Sequence, residues 1–313
     1  MPRGLAILTG GPLPSTPLIR PTTSTTPILL ILAVGVAYDG LKDPHHDLEA
    51  LEMLFNSCGS ERTYFRSISG ERATLETIEE AMGELYRESL RSLDSSILIL
   101  LTGDGDEENR MHVMGDVFIT DQDLRRWMWK FQINSHPNKR TVTIILDHCR
   151  PNKDVPFGTR PLPSLPIRTG HLPPIGVELI WSCSPGQMAA ALLLPSTQDI
   201  PRSCFLLALM MASYSARIKG VLDIVPTINH ELGRLLRLLQ LTHKRIHETG
   251  RCDRCSGDQP CLAPVQEPYW KWAGSMESVH HLVHALSNME VVSKVYDAFT
   301  RNAFFREAVS DSF

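Results

Sequence analysis

The chain lacks a strong excess of charge of either sign. Its 31 lysine and arginine residues stand against 35 aspartate and glutamate residues, which gives a formal net charge of -4. Proteins that bind nucleic acids concentrate basic residues against the phosphates and release counterions. The charge balance therefore predicts that nucleic acid is not a partner.

Long hydrophobic runs are also missing. The longest apolar stretch near the N-terminus, residues 28–37, has about ten residues, whereas a membrane-spanning helix needs ~20. A Pro/Thr/Ser tract, rather than a basic segment, precedes this stretch, unlike a secretory signal peptide. We therefore expect neither a signal peptide nor a membrane partner.

The seven cysteines do not form the compact, even-numbered pattern of a disulfide framework, because their number is odd and they are scattered along the chain. They predict reduced thiols in a cytoplasmic protein. An exposed thiol in such a protein remains available as a nucleophile.

Strand-like and helix-like segments alternate through most of the chain. Residues 1–27 are broken by prolines and nearly uncharged, which predicts a disordered leader. After it, short aliphatic runs alternate with amphipathic segments. This order predicts an α/β fold with a mainly parallel central sheet of about six strands and helices on both faces.

The same alternation suggests where the parts of the chain begin and end. We expect one domain over residues 28–272, containing a proline-rich loop at 151–175, and a C-terminal helical extension over 273–313. The extension contains one or two amphipathic helices. They would either cover a sheet edge or bind a partner.

Two strand-like runs end in residues that carry chemistry. The run beginning at Ser96 ends in Gly103, Asp104 and Gly105, and another ends at Cys149. In parallel sheets, functional residues gather where the strands have their carboxyl ends. We therefore expect Asp104 and Cys149 to face a shared cleft.

The order and spacing of several segments resemble a caspase-like domain of the metacaspase type found in fungi. The resemblance covers about residues 28–270 and is carried by AVGVAYDGLKDPHHDLEALEMLF, ATLETIEEAMGEL, ILILLTGDG, TIILDHCRP, WSCSPGQMAAA and SCFLLALM. It implies a caspase-like three-layer sandwich. It also implies a cysteine-type endopeptidase, a hydrolase that carries out proteolysis.

The resemblance assigns roles at the two strand ends. Cys149 matches the nucleophile, and Asp147 matches an acid that lines the primary specificity pocket. Backbone amides of Gly103 or Gly105, together with that of Cys149, would stabilise the oxyanion. Asp104 stands where the family has its catalytic histidine.

Aspartate at that position removes the general base. A thiol attacks a peptide well when a neighbouring base or cation promotes the thiolate, and the same partner later protonates the leaving amine. A carboxylate with an ordinary pKa of ~3.9 is a weak base, and its charge raises the pKa of a nearby thiol. The sequence thus predicts peptidase activity that is weak or lost.

The pocket has changed as well. The family usually has a Cys-x-x-Asp-Gln element after the fifth strand, whereas this chain places Gly186 before Gln187. Without that acid, an arginine or lysine of the substrate would pair with Asp147 alone. Specificity for aspartate has no better support, since Arg150 is the one arginine close to Cys149 in the sequence.

Three histidines are candidates for a replacement base. His112 follows Asp104 in what we expect to be the same loop, and His171 lies in the proline-rich loop. His148 precedes Cys149, so strand alternation would aim it at the opposite face. His112 is the alternative base that we retain, although a solvated loop histidine is the simpler interpretation.

Two segments could hold metals. A calcium site would use Asp104, Asp106, Glu107 and Glu108, but their spacing is not that of a calcium loop. A zinc site would use His247, Cys252, Cys255 and Cys261, whose spacing is irregular. A solvated acidic loop and ordinary surface thiols are the simpler interpretations, so we expect no metal or other cofactor.

Two functions remain open. The first is a cysteine endopeptidase acting on a peptide or protein substrate through Cys149. The second is a catalytically dead pseudopeptidase that regulates or scaffolds a partner protein. The metacaspase resemblance implies a monomer in either case.

Overall fold

The computed structural model describes residues 28–36, 42–58, 62–92, 94–133, 140–154, 176–192, 200–221, 223–248, 264–272 and 275–301. Several sequence predictions lie outside these residues: the leader at 1–27, most of the proline-rich loop with His171, and the three cysteines of the zinc candidate.

A six-stranded sheet forms the centre of the fold. Its strands are β1 (Ile28–Gly35), β2 (Thr63–Ser69), β3 (Ser95–Thr102), β6 (Val142–Asp147), β7 (Val177–Trp181) and β8 (Tyr269–Trp272). The strand order is β2-β1-β3-β6-β7-β8, and all neighbouring pairs are parallel except β7 with β8. The predicted α/β fold with a mainly parallel sheet of about six strands is confirmed.

Helices cover both faces of this sheet. They are α1 (Asp43–Cys58), α2 (Leu75–Ser89), α3 (Asp121–Ile133), α4 (Cys204–Lys219), α5 (Ile224–Glu248), α6 (Glu277–Ser287) and α7 (Glu290–Arg301). Along β1, Leu29 and Ile31 pack in the core beneath α1 and α4–α7, while Leu30 and Leu32 pack beneath α2 and α3. Strands buried on both faces explain why the sequence shows continuous aliphatic runs.

The starts of two helices have local causes. Helix α2 begins after Thr74, whose hydroxyl accepts the Thr77 amide at 3.3 Å. Helix α5 begins at Ile224 and includes Pro226 in its first turn. Proline is tolerated there because amides of the first helical turn have no partner within the helix.

The prediction of a loop around His112 was wrong. Strands β4 (Met111–Val113) and β5 (Val117–Ile119) form an antiparallel hairpin. Gly115 and Asp116, both at positive φ, lie between the two strands. Strands of three residues are too short to show an alternating hydrophobic pattern, so the sequence signal was absent.

The C-terminal helices are part of the main fold. Helices α6 and α7 bury apolar side chains in the same core as α4 and α5. The Ser278 hydroxyl donates to the carbonyl of Ile97 in β3 at 2.9 Å, and the Ser96 hydroxyl bonds to Nδ1 of His281 at 2.8 Å. Since β3 is a central strand, α6 covers a face of the sheet rather than its edge, and α7 packs against α4 in the same core.

A buried carboxylate connects α6 to the sheet. Glu178 of β7 is 4% exposed and accepts hydrogen bonds from the Thr143 hydroxyl and from the backbone amides of Ser275 and Met276. The Ser275 hydroxyl is a fourth donor, at 3.0 Å. The Glu178 side chain thus satisfies amides where α6 begins.

We expect Glu178→Ala to lower the free energy of unfolding by about 3 kcal/mol, because buried donors lose a charged acceptor. Urea denaturation with linear extrapolation measures the change. Glu80→Ala, which removes an exposed carboxylate from α2, is the control and should change stability by no more than about 0.5 kcal/mol. Equal effects of the two substitutions would contradict the assigned role.

Among the helices of the described ranges, none combines the length and apolar character that crossing a bilayer requires.

Candidate active site

The carboxyl ends of β3 and β6 bring Asp104 and Cys149 together. The two strands are adjacent and parallel, with Thr102 opposite Asp147, and the Gly103 amide donates to the Asp147 carbonyl at 3.2 Å. Asp104 follows the first strand by two residues and Cys149 follows the second by two. The Asp104 side chain is exposed, whereas Cys149 is half-buried.

The surroundings of Cys149 disfavour its thiolate. Burial raises the pKa of the Cys149 thiol, and the nearby carboxylates of Asp104 and Asp147 raise it further. A hydrogen bond from the Ala189 backbone amide acts in the opposite direction and lowers the pKa. Sequence reasoning did not identify Ala189, because a backbone donor leaves no signal in the residue type.

Gly105 lies directly against the peptide group of Cys149, the predicted nucleophile. A Cβ atom at this position would lie 1.8 Å from the Cys149 carbonyl oxygen and 2.7 Å from Nδ1 of His148. Only glycine can approach the Cys149 backbone so closely. The second of the two glycines that flank Asp104 is therefore required by packing against Cys149.

Both glycine amides that were predicted as oxyanion donors already have acceptors. The Gly103 amide continues the hydrogen-bond pattern of the sheet to Asp147, and the Gly105 amide donates to Oδ1 of Asp104 at 2.9 Å. The Gly103 bond is part of the central sheet. The Gly105 bond depends on the exposed side chain of Asp104.

Asp147 is turned towards the protein interior. It is 3% exposed, and the Ser203 hydroxyl donates to its Oδ2 at 2.6 Å. Burial raises the pKa of Asp147, and the Ser203 hydroxyl acts against that rise. A buried carboxyl group held in this way is not presented to a substrate side chain.

Comparison with known proteins gives the family. A family model described as the caspase domain matches residues 29–248, more than two thirds of the chain. The chain belongs to the caspase-domain family. Among solved structures, it is similar to the crystal structure of caspase-1 from Spodoptera frugiperda, with 11% identity over 78% of this chain and 86% of that one, and a TM-score of 0.45. The search of curated proteins found no match.

In this caspase domain, the residues after β7 form a fixed turn. Gly186 has a φ of +81°, and a Cβ atom there would lie 3.0 Å from Cβ of Lys153. Oε1 of Gln187 accepts the amides of Ser184 and Glu267, at 3.2 and 2.7 Å. An aspartate at position 186 would thus be strained in the observed backbone.

Arg150 contacts an aromatic ring within the domain. Its side chain is buried, and its guanidinium carbon lies 5.1 Å from the centre of the Trp181 ring. Burial lowers the pKa of Arg150 to about 10. This placement gives no support to a pocket for an acidic substrate residue.

Two of the candidate histidines lie near the strand ends. His148 is buried, with Nδ1 2.9 Å from the Cys149 carbonyl oxygen, and burial lowers its pKa to about 4. His112 of β4 is bonded directly to Asp104, since the His112 backbone amide donates to the Asp104 carbonyl at 2.9 Å. The His112 ring, however, stacks on the Phe118 ring, with 4.8 Å between the ring centres.

The acidic segment after Asp104 is held by protein contacts. Asp106 accepts the Arg110 side chain and the amides of Glu108 and Arg110. Asn109 bonds to both backbone polar groups of Asn152, three residues after Cys149. Within the part of the chain that the structure describes, no three His, Cys, Asp or Glu side chains are grouped to hold a metal ion.

Proposed function

We propose that the protein is a cysteine-type endopeptidase of the metacaspase type whose activity is weak or lost. The observation that carries this proposal is the place of Asp104: it occupies the position of the catalytic histidine in the resemblance, and it follows β3 at the same sheet edge where Cys149 follows β6. Burial raises the pKa of the Cys149 thiol, and the Asp104 carboxylate raises it further. The nucleophile is thus kept beside a group that opposes its activation.

Cys149 supports the following reaction. Its thiolate attacks the carbonyl carbon of a peptide, a C–S bond forms, and the oxygen takes the negative charge. The C–N bond then breaks, and the departing amine takes a proton from water. A second water hydrolyses the thioester, which releases the carboxylic acid and returns the thiol.

Both proton transfers are poorly supported by the residues present. His148 is a weak base because its pKa is lowered to about 4, and its Nδ1 already contacts the Cys149 carbonyl. His112 remains the alternative base because it lies across from Asp104, but its ring would have to leave Phe118. Loss of a general acid–base group costs about 10²–10⁴ in rate.

The expected partner is a peptide or protein substrate without a strict requirement for a basic residue. Gly186 supplies no carboxylate, and Asp147 is buried against Ser203. We further propose a cytoplasmic monomer. The odd number of scattered cysteines supports the location, and the metacaspase resemblance supports the monomer.

A pseudopeptidase that binds a regulatory protein is the second candidate. It is favoured by the hydrogen bond from the Gly105 amide to Asp104, since this bond occupies a predicted oxyanion donor. A module of this kind would keep the caspase-domain fold without turnover.

The deciding experiment measures cleavage of peptides with Arg, Lys or Asp before the cleavable bond, with and without calcium. We expect slow turnover by the wild type and none by Cys149→Ala. A complete absence of wild-type turnover would favour the pseudopeptidase. Turnover that survives in Cys149→Ala would contradict the assigned nucleophile.

A further inference from the structure

We propose that Asp104 blocks the oxyanion site of Cys149 with its own carboxylate, in addition to leaving the thiol without a base. The inference rests on the proposed function and extends it. In this arrangement Asp104 acts as a built-in competitor for the negatively charged oxygen of the tetrahedral intermediate.

The position of Gly105 identifies the site. Its Cα lies so close to the Cys149 peptide that no side chain fits between them. The Gly105 amide is therefore a backbone donor beside the nucleophile. Donors in such positions stabilise the oxyanion that forms when a thiolate attacks a carbonyl.

The Gly105 amide is not available for that purpose in the observed structure. It donates to Oδ1 of Asp104 at 2.9 Å. The neighbouring Gly103 amide donates to the Asp147 carbonyl as part of the sheet, so it cannot turn without breaking the pairing of β3 with β6. Gly105 is thus the amide that can be released by a change of side chain.

The carboxylate opposes the intermediate in two ways. It holds the donor that the oxyanion needs, and it places a negative charge beside the position where a second negative charge develops. Burial is the main reason that the pKa of the Cys149 thiol is raised, and the charge of Asp104 adds to that rise. Removal of the side chain should therefore favour the adduct even though no base is restored.

The test compares covalent adduct formation with peptide aldehydes that end in Arg, Lys or Asp. The thiolate adds to the aldehyde carbon, the carbonyl π electrons move to the oxygen, and that oxygen takes a proton from water to give a hemithioacetal. We expect Asp104→Ala to bind at least one aldehyde about tenfold more tightly than the wild type. Asp104→Asn should lie between them, because its neutral side-chain oxygen can still accept the Gly105 amide.

Iodoacetamide provides an independent measurement that needs no oxyanion. In both Asp104 variants, iodoacetamide should alkylate Cys149 about threefold faster than in the wild type at pH 7.5. A lower thiol pKa gives more thiolate, although each thiolate is a somewhat weaker nucleophile. Mass spectrometry assigns the label to Cys149. Asp223→Asn, which makes the same chemical change at an exposed residue just before α5, should leave both measurements unchanged.

The outcomes separate the two proposals. Faster alkylation with unchanged aldehyde affinity in Asp104→Ala would show that Asp104 acts through its charge on the thiol alone, and would overturn the block. Adducts of equal strength in all variants would also overturn the block while leaving the nucleophile in place. No adduct in any variant, including Asp104→His, would contradict both the block and the proposed peptidase.

Discussion

Replacing Asp104 by histidine is expected to raise the rate of peptide hydrolysis about 10²–10⁴-fold over the wild type. An imidazole at this position can accept the thiol proton of Cys149 and later protonate the leaving amine. The substitution also removes a carboxylate that raises the thiol pKa and releases the Gly105 amide. Three obstacles to catalysis therefore change together.

The gain is measured as kcat/KM for the peptide panel between pH 5 and 9. Asp104→Asn is the matched control, since it removes the charge without adding a base and should recover only a small part of the gain. Cys149→Ala in the Asp104→His background should abolish turnover. Failure of Asp104→His to gain activity, with the fold intact and Cys149 still open to iodoacetamide, would show that position 104 is not the base position.

A restored base would not restore recognition of basic residues. Gly186 lies at positive φ with Lys153 packed against it, so a carboxylate cannot be returned to this position without moving the turn. Asp147 remains buried against Ser203. We therefore expect the improvement in kcat to exceed any improvement in KM.

The sequence predicted the sheet, and the strand ends that carry Asp104 and Cys149, because their signals are local. Buried strands such as β3 and β6 appear as continuous aliphatic runs, and the residues just after them lie at one edge of a parallel sheet. The aspartate between two glycines could be recognised as unusual for the same reason. The need for Gly105, however, became clear only from its contact with the Cys149 carbonyl.

Other features depend on residues that are distant in the sequence. Glu178 lies within a strand and bonds to Ser275 and Met276, 97 and 98 residues later. Glutamate side chains are usually exposed, so the sequence alone would predict an exposed Glu178 rather than a buried one. Likewise, no local pattern indicates that Asp47 contacts Ser203, which is 156 residues later in the chain.

Asp47 and Asp147 lie on two sides of Ser203. The Ser203 amide contacts Asp47 at 3.3 Å, and the Ser203 hydroxyl donates to Asp147 at 2.6 Å. Asp47 also accepts the Arg202 amide at 2.5 Å and is 2% exposed. Burial raises the pKa of Asp47 to about 7, hydrogen bonds from Arg202 and Ser203 oppose the rise, and the charges of Asp147 and Asp43 add to it.

This raised pKa predicts an unusual pH dependence of stability. Between about pH 4 and 7 the unfolded chain has lost the Asp47 proton while the folded protein keeps it, so unfolding becomes easier as the pH rises. A shift of roughly three units corresponds to about 4 kcal/mol, fully present at or below pH 4 and lost by about pH 7. Asp47→Asn keeps a side-chain oxygen for the Arg202 and Ser203 amides and cannot ionise.

We therefore expect Asp47→Asn to be more stable than the wild type at pH 7.5, by up to about 4 kcal/mol, and to lose this advantage as the pH falls to 4. Urea denaturation at several pH values gives the difference curve, in which a group common to both proteins and not coupled to Asp47, such as His148, largely cancels. Asp43→Asn is the intermediate case: it removes a charge that helps to raise the pKa of Asp47, so stability should fall less between pH 4 and 7 than in the wild type. A flat curve for Asp47→Asn would show that Asp47 is ionised in the folded protein, and that its contacts with the two amides outweigh its burial.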